Sequence, residues 1–145
     1  AKDGRVTESP PFQRFPIDTE EINQLVPAFY RQVREHSELG PVFYDQIGTD
    51  ANAWRTHERK IAAFWRKAIL IDRDYQGNPM RSHLKIRTIQ ARHFGLWLDL
   101  FETVARRELA PPKADAIIAL AHRIGRGLRY GVEQAKRDAT SPSNL

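Results

Sequence analysis

Apolar side chains recur at three- and four-residue spacing over most of the chain, and that rhythm restricts it to helices. Ile22, Leu25, Val26, Phe29, Tyr30 and Val33 form one such stripe, and Trp54, His57, Ile61, Phe64, Trp65 and Ala68 a second. Phe94, Trp97, Leu98, Phe101 and Val104 form a third, and Ile117, Ala121, Ile124 and Leu128 a fourth. Side chains three and four apart share one face of an α-helix, so each stripe is the buried side of an amphipathic helix. Strict alternation, the mark of a half-buried strand, is missing, and no segment repeats. The expected class is all-α, with helices crossing at large angles around one core.

Capping and breaking residues give the boundaries. Asp18 or Thr19 caps the first helix, with Glu20 and Glu21 favourable in its first turn, and Pro27 is expected to split it in two. Gly40-Pro41 precedes a short helix over 42–47, and Thr49 or Asp50 caps a long one running to Ile71. Residues 72–78 read as a polar loop, and Pro79 as the first position of a short helix carrying His83 and Ile86. Two further helices, about 89–109 and 113–137, flank Pro111-Pro112, and Gly125, Gly127 and Gly131 weaken the last one or let a neighbour approach. Three prolines and one glycine in 1–17 suggest an extended arm, 18–138 a single domain, and 139–145 a frayed tail.

Composition narrows the function. At 145 residues, 41% of them hydrophobic and 28% charged, the chain suits one globular domain. Having no cysteine, it can offer neither thiolate haem ligation, iron–sulfur clusters, zinc fingers nor covalently attached haem. Acidic residues interleave with basic ones, so the net charge of +5 reads as solvated helix faces rather than a nucleic-acid surface. Neither a membrane span nor a signal-peptide core is visible, and a cytoplasmic monomer or weak dimer is expected.

Two histidines carry the chemistry. His57 lies on the buried stripe of the third predicted helix and His83 just past the Gly77-Asn78-Pro79 break. Imidazole is the usual protein ligand of haem iron, and a globin-type pocket needs one ligating histidine and a second residue facing it. His57-Glu58 begins a zinc-protease motif, but Ile61 stands where the second histidine is required. Phosphate loops, nucleophile elbows and spaced carboxylate pairs are absent as well.

Phe29-Tyr30, Phe43, His57 with Ile61, Phe64-Trp65, Tyr75 to Pro79, His83, and His93-Phe94-Gly95-Leu96-Trp97 through Phe101 occur here in one order. Over about residues 20–130 the sequence resembles the group III truncated haemoglobins. The resemblance implies a two-over-two helical sandwich around haem b. It makes His83 the proximal iron ligand, its other ring nitrogen steered by a carbonyl or carboxylate, and Tyr30 and Trp97 the donors to a bound ligand. His57 occupies the position that in many globins contacts the ligand directly; with Tyr30 and Trp97 donating, it is assigned instead to a gate or to steadying a water, the gate being favoured over direct contact. Phe29, Phe43 and Ile61 become an apolar wall, with Phe64, Met80 and Phe94 as further haem contacts. Lys60 is spaced to reach a propionate, with Arg66, Arg81 and Lys85 as alternates.

The expected function is reversible binding of dioxygen, or of carbon monoxide or nitric oxide, at a five-coordinate iron. The alternative is an enzyme, peroxidase-like or a nitric oxide dioxygenase, with Tyr30, His57 and Trp97 as its working residues. The second activity needs an external reductase, because 145 residues leave no room for a reductase domain. A haem-free interaction module is the remaining, least favoured reading.

Overall fold

The computed structural model describes residues 16–69, 79, 83 and 89–140, with side chains to 138. Five helices are described: α1 (Thr19–Glu35), α2 (Leu39–Ile47), α3 (Ala51–Ala68), α4 (Ala91–Glu108) and α5 (Pro111–Thr140). Among the described residues there is no strand. Pro79 and His83 are both helical, at the place expected for the short helix before α4.

Helix α1 starts where the sequence supplies a cap. The Asp18 carboxylate accepts from the Glu21 backbone N–H at 2.8 Å, and the Glu21 carboxylate accepts from that of Asp18 at 3.0 Å, a reciprocal capping box. Lys113 at the start of α5 pairs with Glu21 at 2.6 Å, tying the last helix to the first. Contrary to expectation, Pro27 does not divide α1, which runs through it unbroken. Pro27 costs the helix one backbone hydrogen bond. Its neighbours Leu25, Val26, Ala28, Phe29 and Tyr30 are all buried, and their packing holds the helix together across the gap. Ile17, assigned from sequence to the arm, is 1% exposed and belongs to the core.

Asp50 caps α3 by accepting from Ala53 N–H at 3.1 Å. Pro111 and Pro112 open α5 as well as closing off α4, as first-turn prolines do where backbone N–H groups have no helical partner anyway. Ile69 is the C-cap of α3, so the expected extension to Ile71 stops short, residues 70 and 71 lying outside the described ones.

Helix α1 packs on α3 and on α4, α4 packs on α5, and α2 leans on α1, α3 and α4. That pairing is the two-over-two arrangement that the resemblance implies. Its centre is a ring assembly. Trp97 and Phe101 stack at 5.1 Å and 4°, Phe101 and Trp65 at 5.3 Å and 15°, and Phe29 meets both Trp97 and Phe101 edge-on. Ile89, Phe94 and Val132 form a smaller cluster with Leu128.

Two glycines show what packing demands. A Cβ on Gly40 would stand 3.0 Å from the Arg34 carbonyl oxygen, backbone that cannot turn aside, whereas one on Gly127 would meet nothing within 4 Å. Gly40→Ala should therefore lower unfolding stability by about 1–3 kcal/mol through overpacking. Gly127→Ala should raise it by about 0.5–1 kcal/mol through helix propensity. Urea unfolding of both variants checks this pair, and equal effects of one sign would contradict the close approach of α2 to α1.

Candidate functional site

A cavity of about 330 Å³ opens between α1, α2, α3, α4, α5 and the segment carrying Pro79 and His83. Its volume lies within the range of small-molecule sites, and most of the residues around it are apolar. Tyr30 faces it from α1, Phe43 from α2, and His57, Lys60, Ile61 and Phe64 from α3. His83, Phe94 and Trp97 complete the set that the sequence singled out. Phe29 is the exception: it is buried, with its ring 5.0 Å from that of Tyr30 and 5.2 Å from that of Trp97, and supports those two from behind instead of lining the cavity. Met80, Arg81 and Lys85 lie outside the described residues. Arg66 donates to Asn23 on α1 at 2.9 Å and is not part of the cavity wall.

Three polar groups on this wall have no hydrogen-bond partner among the described residues. The Tyr30 and His57 rings meet edge to face at 4.9 Å and 87°, and the His57 Nε2 is buried without a hydrogen bond. No hydrogen bond between described residues involves the Tyr30 hydroxyl or the Trp97 indole N–H. Buried polar groups are ordinarily paired, because leaving one unmade costs about 1–3 kcal/mol. His57 Nε2, buried and unpaired, shares the cavity with the Tyr30 hydroxyl and the Trp97 N–H, and together they suit a polar guest.

Burial also sets their protonation. It pushes the Tyr30 phenol far up, the Glu58 carboxylate adding to the effect, so the hydroxyl remains a donor. Burial lowers His57 to about 4, helped by Lys60 and His83, so its imidazole is neutral at pH 7. His83 is also lowered by burial, partly offset by its backbone hydrogen bond. Its Nδ1 lies 2.6 Å from the Pro79 carbonyl oxygen. A carbonyl only accepts, so Nδ1 carries the proton and Nε2 keeps its lone pair, the tautomer a metal ligand requires.

Glu58, beside His57, accepts from Arg34 at 3.3 Å, and the Arg34 guanidinium sits 5.1 Å above the Trp54 ring. Trp54 in turn donates to the Gly48 carbonyl at 2.7 Å. This chain fixes α1 against α3 next to the Tyr30–His57 contact. Sequence reasoning missed it, since Arg34 and Glu58 are 24 residues apart and each resembles an ordinary surface charge.

No family model matches the chain. A group 3 truncated haemoglobin of Campylobacter jejuni is 40% identical over 86 residues, which span 59% of this chain and 68% of that protein. The chain belongs to the group III truncated haemoglobins. The crystal structure of a group III truncated haemoglobin from Campylobacter jejuni matches this truncated haemoglobin with a TM-score of 0.77 at 31% identity, covering 83% of this chain and 94% of that one. Membership of the globin family implies haem. The residues fit it: a histidine whose Nδ1 is tied to a carbonyl so that Nε2 keeps its lone pair, a largely apolar cavity, and the unpaired His57 Nε2 on the same wall.

The His57 shift has a thermodynamic consequence for the haem-free truncated haemoglobin. Its folded pKa lies below the unfolded value, so the unfolded chain takes up the proton first. Stability is then full above pH 6.5 and falls as pH drops toward 4, by up to about 3 kcal/mol from this group. His57→Leu should flatten that part of the curve in urea titrations of apoprotein, and an unchanged slope would show that burial of His57 does not govern it.

Proposed function

We propose that this protein is a b-type haem globin that reversibly takes up dioxygen, with carbon monoxide and nitric oxide as further ligands. One observation carries the reading. The Tyr30 hydroxyl, the Trp97 indole N–H and His57 Nε2 share one largely apolar cavity without partners among the described residues, and His83 stands on the same cavity with its Nε2 lone pair available. When bound, the haem supplies a ferrous iron with one coordination position open to a diatomic molecule.

His83 Nε2 would hold the iron, and the Pro79 carbonyl fixes the ring so that it cannot turn away. The Tyr30 phenol, held protonated by burial, donates to a ligand that accumulates negative charge, and the Trp97 N–H adds a second donor. His57, neutral and edge-on to Tyr30, acts as a gate: its ring can move without breaking any hydrogen bond at Nε2. Phe43 and Ile61 keep water from the cavity and thereby slow oxidation of the ferrous state. Lys60 would pair with a propionate at the rim, worth only about 0.2–1 kcal/mol there, so apolar burial dominates retention.

The peroxidase alternative gains nothing from the His83 side. Such chemistry is favoured by a carboxylate on the proximal imidazole, and here Nδ1 is taken by a neutral carbonyl. Nitric oxide turnover would require an external reductase, for which no surface is singled out.

Purified protein should show a Soret band that shifts on reduction and again with carbon monoxide, and His83→Ala should abolish or distort it. Failure to bind stoichiometric haemin would overturn the reading. Tyr30→Phe should accelerate dioxygen dissociation about ten- to a hundredfold, the loss of a hydrogen bond of about 1.5–3 kcal/mol to a charged acceptor. Stopped-flow measurement of the off-rate checks this, and an unchanged rate would remove Tyr30 from that role.

A further inference from the structure

His93, in the first turn of α4, is 6% exposed and lines the same cavity. Its Nδ1 accepts the backbone N–H of Gln90 at 2.9 Å, the residue before the helix begins. A backbone N–H only donates, so Nδ1 must present a lone pair, and the neutral ring carries its proton on Nε2. This tautomer is dictated by the helix end. No hydrogen bond between described residues uses Nε2–H, although the ring is buried in a cavity wall.

The surroundings indicate the chemistry of an acceptor that this donor would suit. Burial, then Arg92 and Lys136, disfavour a second proton on His93, while Glu38 acts the other way. Glu38 is already engaged by Arg92 at 3.0 Å. The Arg92–Glu38 pair leaves no spare negative charge beside the ring, and Lys60 adds a cation to the cavity from α3, which favours an anionic guest. Unlike a lysine, His93 is held in place by its bond to Gln90, so it loses little freedom on binding. The next residue, Phe94, lies 5.6 Å from the His83 ring, and both line the same cavity as His93.

Resting on the haem reading above, we propose that His93 Nε2–H is a built-in anchor for a carboxylate of the cavity's ligand, one propionate in the case of haem. It binds the cofactor directly and pins its rim.

Apoprotein reconstituted with haemin or with haemin dimethyl ester, followed by transfer to an excess of a scavenging apoglobin, tests the contact. His93→Asn keeps an acceptor near the Nδ1 position for Gln90 but has no donor at Nε2. It should speed loss of haemin about tenfold, the scale of a hydrogen bond to a charged group. Loss of the dimethyl ester should stay within about twofold of wild type. His93→Gln, which returns an N–H near the Nε2 position and gives up the cap, should retain haemin better than the asparagine variant. Equal acceleration of both haemins would reduce His93 to helix capping, and no acceleration of either would remove the anchor; both results leave the haem reading standing. Should His93→Asn not fold, the same two haemins compared in wild type and His93→Ala, which also lacks the Nε2 donor, decide the matter. Wild-type protein that takes up no stoichiometric haemin would instead overturn the haem reading, and this inference with it.

Discussion

An unpaired imidazole nitrogen buried in an apolar wall is the constraint to which the rest of this structure answers. Folding His57 with Nε2 unbonded is unfavourable, and the Tyr30 hydroxyl and Trp97 N–H on the same cavity have no partner among the described residues. A sequence selected for stability alone would fill that space with aliphatic side chains. Here stability has been given up at one place, and the helices around it are arranged to hold the polar groups there.

The supporting contacts are rigid and mostly apolar. Trp65, Phe101 and Trp97 stack in series, Phe29 closes on them edge-first, and the result fixes how Trp97 meets the cavity. Across α1, the half-buried pair of Arg34 and Glu58, capped by the Trp54 ring, locks the register between Tyr30 and His57. The same Glu58 charge helps keep the Tyr30 phenol protonated, so one contact serves both packing and chemistry.

Backbone groups set the other two histidines of the cavity, and in opposite senses. The Pro79 carbonyl makes His83 Nδ1 a donor and leaves Nε2 with a lone pair; the Gln90 N–H makes His93 Nδ1 an acceptor and leaves Nε2 with a proton. One cavity thus holds an imidazole suited to a metal and another suited to an anion. These are the two kinds of contact that haem, with a central iron and peripheral carboxylates, would ask for.

The sequence alone determined the helices, because three- and four-residue apolar spacing and the Asp18 and Asp50 caps are local signals that tertiary contacts only reinforce. It also made His57, His83, Tyr30 and Trp97 the candidate residues, since their stripes and order bear the family resemblance. It misjudged Pro27, where burial on both sides of the proline outweighs one lost hydrogen bond, and it put Phe29 on the cavity wall where the fold sets it one layer back. Periodicity names the buried face of a helix without saying which neighbour that face meets. What only the tertiary structure decided was therefore which polar atoms stay unpaired, which tautomer each histidine holds, and that Arg34 and Glu58 meet. Those depend on distances between residues far apart in the chain, fixed only when the helices pack.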